Sequence, residues 1–198
     1  MRRPLTFLSF AAALAACGAE QDHAAPALAA PPVDGAWIVD KAASRIGFTG
    51  TQTDKAFTGA FERFDATILF DPADLASSRI EAAVDTGSAR TGDRQRDAAL
   101  PGAEWFDASA YPTAQFSSRA IRATGPHAYE ADGTLAIRGV EKPLTLPFTV
   151  TIANGRAVAD ASVSVNRSEF GVGQGEEFAT DRWVGYDVTV TIHLEATR

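Results

Sequence analysis

Val184 to Leu194 alternates without a break. Val184, Tyr186, Val188, Val190, Ile192 and Leu194 are apolar, while Gly185, Asp187, Thr189, Thr191 and His193 between them are small or polar. Successive side chains of an extended chain point to opposite faces, so this run predicts a strand with one apolar and one polar face. Phe148, Val150 and Ile152 alternate with threonines in the same way, and Asn154-Gly155 then supplies a tight hairpin turn. Val158, Ala159 and Ala161 to Val165 resume the pattern. Earlier strand-like runs are Arg45 to Thr49, Phe57 to Phe61, Ala66 to Phe70, Ile80 to Asp85, Gln115 to Ile121 and Thr134 to Ile137. Many short amphipathic strands in one domain predict an all-β antiparallel sandwich or a closed barrel. The one helical stretch is Asp93 to Leu100, opened by the acidic Asp93.

Composition narrows the function. The chain is 198 residues long and 45% hydrophobic, enough for one domain with a real core. Its net charge of −7 repels phosphate backbones, so nucleic acid is not an expected partner. The single cysteine excludes an intrachain disulfide framework and a thiolate metal cage.

That cysteine, Cys17, ends an apolar run. Arg2 and Arg3 precede Leu5 to Ala16, a stretch too short to span a bilayer, and Leu14-Ala15-Ala16-Cys17-Gly18 follows the pattern of a bacterial lipobox. Residues 1–16 read as a lipoprotein signal peptide, and Cys17 as the lipid attachment site. A rival small-x-small cleavage site, Ala27-Leu28-Ala29, is separated from the apolar run by Glu20, Asp22 and His23. Residues 17–33 are rich in Ala and Pro and lack apolar periodicity, as expected of a tether. The folded domain is therefore expected over residues 34–198. Gly18, where inner-membrane lipoproteins of enterobacterial type carry Asp, favours the outer membrane. The expected location is the periplasmic side of a Gram-negative bacterial membrane, with the chain membrane-anchored by its lipid.

Enzymatic signatures are missing from the sequence. The three histidines, His23, His127 and His193, form no His-x-x-x-His pair, and no Gly-x-Ser-x-Gly elbow occurs. Glu176-Glu177 and Asp93 with Asp97 are explained as solvated loop charges. Gly171-Val172-Gly173-Gln174-Gly175 lacks the strand-loop-helix setting of a phosphate cradle and reads as a glycine-rich turn. No catalytic residue, metal or cofactor is expected, and the chain reads as a non-enzyme.

An ordered set of segments points further. It opens with Trp37-x-x-Asp40-x-x-x-Ser44-x-Ile46-x-Phe48, Gly59-x-Phe61-x-x-Phe64 and Ile68-x-Phe70-Asp71-Pro72. Thr91-Gly92-x-x-x-Arg96-Asp97-x-x-Leu100, Trp105-Phe106-Asp107 and Tyr111-Pro112-x-x-x-Phe116-x-Ser118 follow. Gly133-x-Leu135-x-Ile137-Arg138-Gly139-Val140-x-Lys142-Pro143 and Asn166-Arg167-Ser168-Glu169-Phe170-Gly171-Val172-Gly173 complete it. In this order the segments resemble the YceI-like family of polyisoprenoid-binding proteins across nearly all of residues 34–198. Trp105 stands where that family usually carries Phe.

The resemblance implies an extended, lipocalin-like, eight-stranded antiparallel barrel with a short helix, holding a long apolar chain inside. It implies a polyisoprenoid ligand such as a quinone or prenyl phosphate, with fatty acids or fatty amides as the alternative. It also implies a periplasmic setting for transport or storage, a homodimer in many members, and a cytochrome b561-type membrane partner in some. On this picture Phe48, Phe61, Phe64, Trp105, Phe106, Phe116 and Phe170 are the expected apolar wall. Arg94, Arg96, Asp97 and Arg167 are the expected polar mouth, since an arginine can hydrogen-bond a carbonyl or pair with a phosphate. Arg96 and Asp97 could equally serve structure, pairing with loop carbonyls or with Arg167 and Glu169. A stress-related structural lipoprotein that uses its outer surface is the reading from a different class.

Overall fold

The computed structural model describes Leu28 and residues 33–198; Cys17, the signal segment and most of the tether lie outside the described residues. The strands, in chain order, are β1 Ile38–Val39, β2 Arg45–Gln52, β3 Lys55–Phe61, β4 Phe64–Leu69, β5 Arg79–Asp85 and β6 Ala89–Arg90. After α1, Arg94–Ala99, come β7 Thr113–Gly125, β8 Ala128–Ile137, β9 Val140–Ala153, β10 Arg156–Asn166 and β11 Asp187–Thr197. Every pairing is antiparallel, and the strands form one sheet in the order β4-β5-β7-β8-β9-β10-β11-β2-β3-β6, with β1 on β11.

Eleven strands replace the expected eight, but the discrepancy is one of bookkeeping. β1 and β6 have two residues each, and β3 and β4 are halves of one strand bent at Glu62 and Arg63. The bend is pinned: Glu62 N–H donates to the Ser88 carbonyl, Arg63 N–H to Ser88 Oγ at 3.1 Å, and Arg63 Nη2 pairs with Asp85 at 2.7 Å. One half of this bent strand pairs with β2 and the other with β5. Eight long strands therefore close into a ring. A single bridge from Trp37 to Ile68 ties the N-terminal segment across the same join.

The last strand begins at Asp187, not at Val184. Val184 makes one bridge with Gln52, and Gly185 N–H donates to the Thr51 carbonyl, so this lead-in touches β2 while β10 has already ended at Asn166. β9 starts at Val140, eight residues before the expected Phe148, and includes Pro143 and Pro147. Its geometry tolerates them. Val150 N–H points toward the β8 side, where it meets the His127 carbonyl. Alternation then turns the nitrogens of residues 143, 145 and 147 to the opposite edge, which β10 does not reach. The helix forms as expected, its N-cap Asp93 accepting from Gln95 N and Arg96 N. Asn154-Gly155 turns β9 into β10 with both residues at positive φ, 51° and 72°.

Inward-facing residues sort along the barrel axis. Trp37, Phe70, Phe116, Ile121, Leu146, Val150, Ala157 and Ala196 close one end. At the other, Phe48, Ala89 and Leu100 form one cluster and Val165, Phe170 and Val172 another, with Trp105 and Phe106 packed between them.

Candidate functional site

Between these end clusters lies a cavity of about 280 Å³. That is near the low end of the ~300–1,000 Å³ found for small-molecule pockets. It is lined along the whole barrel, from Trp37 and Ala196 at one end to Leu100, Val172 and Val184 at the other. The alternation read from the sequence supplies its wall directly. Val188, Val190, Ile192 and Leu194 of β11 all line it, as do Ala157, Ala159, Ala161, Val163 and Val165 of β10.

Six of the seven expected wall residues line this cavity: Phe48, Phe61, Phe64, Trp105, Phe106 and Phe116. Several are held by edge contacts. The Phe48 and Phe61 ring centroids are 5.3 Å apart, and Phe61 meets Phe106 edge-on at 5.8 Å. Phe170 is the correction. It is 4% exposed but packs with Val165 and Val172 behind the cavity, since the short 3₁₀ turn Arg167–Phe170 directs it into the end cluster.

The expected polar mouth separates into different roles. Arg94 is exposed on α1 and stands outside the cavity lining. Asp97 is a local fastener, its Oδ1 accepting from Thr91 N at 2.7 Å and from Thr91 Oγ1 at 2.8 Å. Those bonds hold its carboxyl below the usual carboxylate range, the side-chain bond being the larger cause. Arg96 is half-buried, donates to Gln52 Oε1 at 3.0 Å, and lies 4.7 Å over the ring of the lining residue Phe57. Its Nε also donates to Thr91 Oγ1 at 3.3 Å and its Nη2 lies 3.7 Å from Asp93, and like Arg94 it stands outside the cavity lining.

Arg167 is the second correction. It borders the cavity, but it is 4% exposed and all five of its N–H donors meet backbone carbonyls. Nε reaches Gly185 at 3.0 Å, Nη1 reaches Val172 at 2.8 Å and Gly173 at 3.2 Å, and Nη2 reaches Val184 at 2.8 Å and Phe178 at 3.4 Å. The rings of Trp105 and Tyr186 flank it at 5.7 and 5.3 Å. Burial pulls its pKa below the usual guanidinium value, yet an arginine stays charged. A guanidinium so occupied latches the segment 171–185 across the barrel end and has no donor for a ligand.

The glycine-rich turn serves the same end. Gly173 N–H and Gln174 N–H both donate to the Glu104 carbonyl, so these amides hold Trp105's neighbour and do not cradle an anion. Arg138 completes the closure by donating to the carbonyls of Ala103 and Trp105. Its φ of 50° in the turn between β8 and β9 gave no signal that sequence pattern could detect.

The interior therefore offers hydrocarbon contact and little else. Asp160 and His193 also border it, and their side chains, 63% and 44% exposed, bond each other at 2.8 Å. Among the described residues every buried side-chain nitrogen and oxygen has a hydrogen-bond partner. Among the described residues, Gln115 of the lining is exposed, and Arg167 is the one charged lining residue that is buried.

Comparison with known proteins agrees with this geometry. The YceI-like domain model matches residues 37–196. A UPF0312 protein of Pseudomonas putida strain W619 is 31% identical over 142 residues, covering 67% of this chain and 71% of that protein. Among solved structures, Burkholderia cenocepacia BcnA superposes with a TM-score of 0.77 at 34% identity, over 80% of this chain and 99% of the other. A polyisoprenoid binding domain from Saccharophagus degradans shares the fold, with a TM-score of 0.66 at 16% identity, over 81% and 97% of the two chains.

Proposed function

The chain belongs to the YceI-like domain family, and on that premise we propose that its barrel encloses the tail of a long apolar lipid. One observation carries the reading: an interior cavity lined along the barrel by aliphatic and aromatic side chains, where the one charged lining residue buried among the described residues, Arg167, is saturated by carbonyls. Such a space stabilises hydrocarbon by about 0.8 kcal/mol per CH₂ removed from water. It has nothing with which to activate a bond, so binding without catalysis is the function it suits.

The finer reading is a polyisoprenoid, a quinone or prenyl phosphate, carried or stored. The polyisoprenoid-binding description of the Saccharophagus degradans domain, which shares this fold, supports it. Anchoring through acylated Cys17, on the periplasmic side and in the outer membrane, would keep the carrier beside the membrane that supplies its ligand. A homodimer and a cytochrome b561-type partner belong to the same proposal.

Organic extraction of the purified protein followed by mass spectrometry tests it. A co-purifying prenyl lipid in near-stoichiometric amount is the expected result. A fatty acid or amide would keep the carrier and change its ligand. An empty barrel that also fails to take up added prenyl lipid would overturn the reading.

A further inference from the structure

β9 and β10 part company midway, and the cause is written in the sequence. Their ladder runs from the pair Ala153 and Arg156 to the pair Phe148 and Ala161, and stops there. The next pair would set Ser162 against Pro147, whose nitrogen has no hydrogen to donate. Beyond it Pro143 repeats the obstacle on the same edge. Each strand keeps its other neighbour throughout: β8 follows β9 to Val140, and β11 follows β10 to Asn166. The barrel wall thus contains a seam where adjacent strands share no ladder. The exposed pair Lys142 and Glu169, 4.0 Å apart, ties its far end.

This seam separates two spaces. Outside it lies a cleft of about 550 Å³ bordered by Pro147, Thr149, Asp160 and Ser162. Inside it lies the apolar cavity. Phe148, Ala161 and Ile192 border both, so the partition at this point is one layer of side chains thick. Leu144, Leu146 and Val163 flank the seam on the inner side.

The barrel end is a harder route. Opening it means releasing the segment that Arg167 holds through five charge-assisted hydrogen bonds, two of them buried and three partly buried. Parting the seam breaks no rung of the ladder. The two prolines also deny a foreign strand the donors it would need to pair with β9, which keeps the seam from being filled by another chain.

We infer that the seam between Pro147 and Ser162 is a lateral entrance through which the apolar tail of a lipid passes into the cavity; the inference rests on the lipid-binding reading above. Breathing of β9 against β10 admits the tail beside Phe148 and Ala161, the last pair of the ladder and residues that border both spaces.

All-trans-retinol, a fluorescent isoprenoid alcohol, serves as the probe, with stopped-flow loading and release measured beside equilibrium affinity. The double variant Pro143→Thr, Pro147→Thr restores two edge donors and lets the ladder continue, which hydrogen exchange at those positions reports. It should slow loading and release together, by about tenfold, with affinity nearly unchanged. Lys142→Ala unties the far end and should speed both. Unchanged rates in both variants, with retinol still bound, would overturn the lateral entrance and return entry to the barrel end. Absence of retinol binding to the unaltered protein would instead count against the lipid-binding reading itself, and the entrance would fall with it.

Discussion

The ring of Phe48 fills the space that a side chain on Gly59 would need: a Cβ built there would sit 2.3 Å from Phe48 Cζ. The two residues face each other across β2 and β3. Gly50 and Phe57, also paired across these strands, stand in the same relation at 2.9 Å, and Gly133 with Phe116 at 2.8 Å. In each case a ring lies over bare backbone and does not reach into the lumen. Three phenylalanines therefore line the cavity without filling it.

This arrangement separates two substitutions. Gly59→Ala also brings its Cβ within 2.7 Å of the Arg90 carbonyl, so backbone must shift, and a loss of about 1–3 kcal/mol of stability is expected. The atoms nearest a Cβ at Gly50 belong only to the Phe57 ring, which must swing inward. Gly50→Ala should weaken retinol binding while changing the melting temperature less than Gly59→Ala does. Thermal melts beside a retinol titration check this, and unaltered affinity in Gly50→Ala would contradict it.

Arg167→Met removes the latch and leaves five carbonyls to find other partners. Destabilisation of about 3–5 kcal/mol is expected, with faster hydrogen exchange across residues 171–185. Arg167→Lys should recover little of it, because one ammonium cannot reproduce the planar fork. Denaturant titration measures both. A Lys variant as stable as the parent would show that charge alone, and not the fork, holds the loop.

Phe61→Asp places a carboxylate on the cavity wall between Phe48 and Phe106. Retinol affinity should fall about tenfold or more, because an ionised group there disfavours an apolar neighbour. Circular dichroism establishes that the variant is folded. A folded variant with full retinol affinity would remove Phe61 from the binding wall.

His193 carries the clearest pH dependence. Its hydrogen bond to Asp160 raises its pKa above the ordinary 6.5, with the charges of Asp160 and Glu195 adding to the effect. A group whose folded pKa is raised stabilises fully below its unfolded value and less as pH climbs through the folded one. Stability should therefore decline gently from about pH 6.5 upward, and the pair's exposure keeps the effect small. His193→Gln should flatten that part of the profile. An identical slope in both proteins, followed by melts from pH 5 to 9, would assign it elsewhere.

Cys17→Ser should abolish acylation and signal cleavage together. Metabolic palmitate labelling and the mass of the accumulated chain test both, and persistent labelling of the variant would remove Cys17 as the anchor.

The strands of this protein were legible in the chain because period-two alternation is a local property. Each apolar residue of β10 and β11 chooses its face by parity alone, so the identity of most wall residues followed from counting. The capping role of Asp93 and the turn at Asn154-Gly155 are local in the same sense. Phe170 and Arg167 were not legible in that way. One lies behind the cavity and the other spends its donors on five carbonyls of residues 172–185, and both outcomes depend on where a distant loop comes to rest. The close pairing of Gly59 with Phe48 and the seam at Pro147 occupy a middle ground, since the residues are plain in the sequence but their meaning requires a partner strand. Alternation by itself determined an amphipathic antiparallel sheet. Only the closed tertiary structure decided which apolar faces pack solid, which enclose a cavity and which charge is consumed as a latch, because those outcomes depend on contacts between residues far apart in the chain.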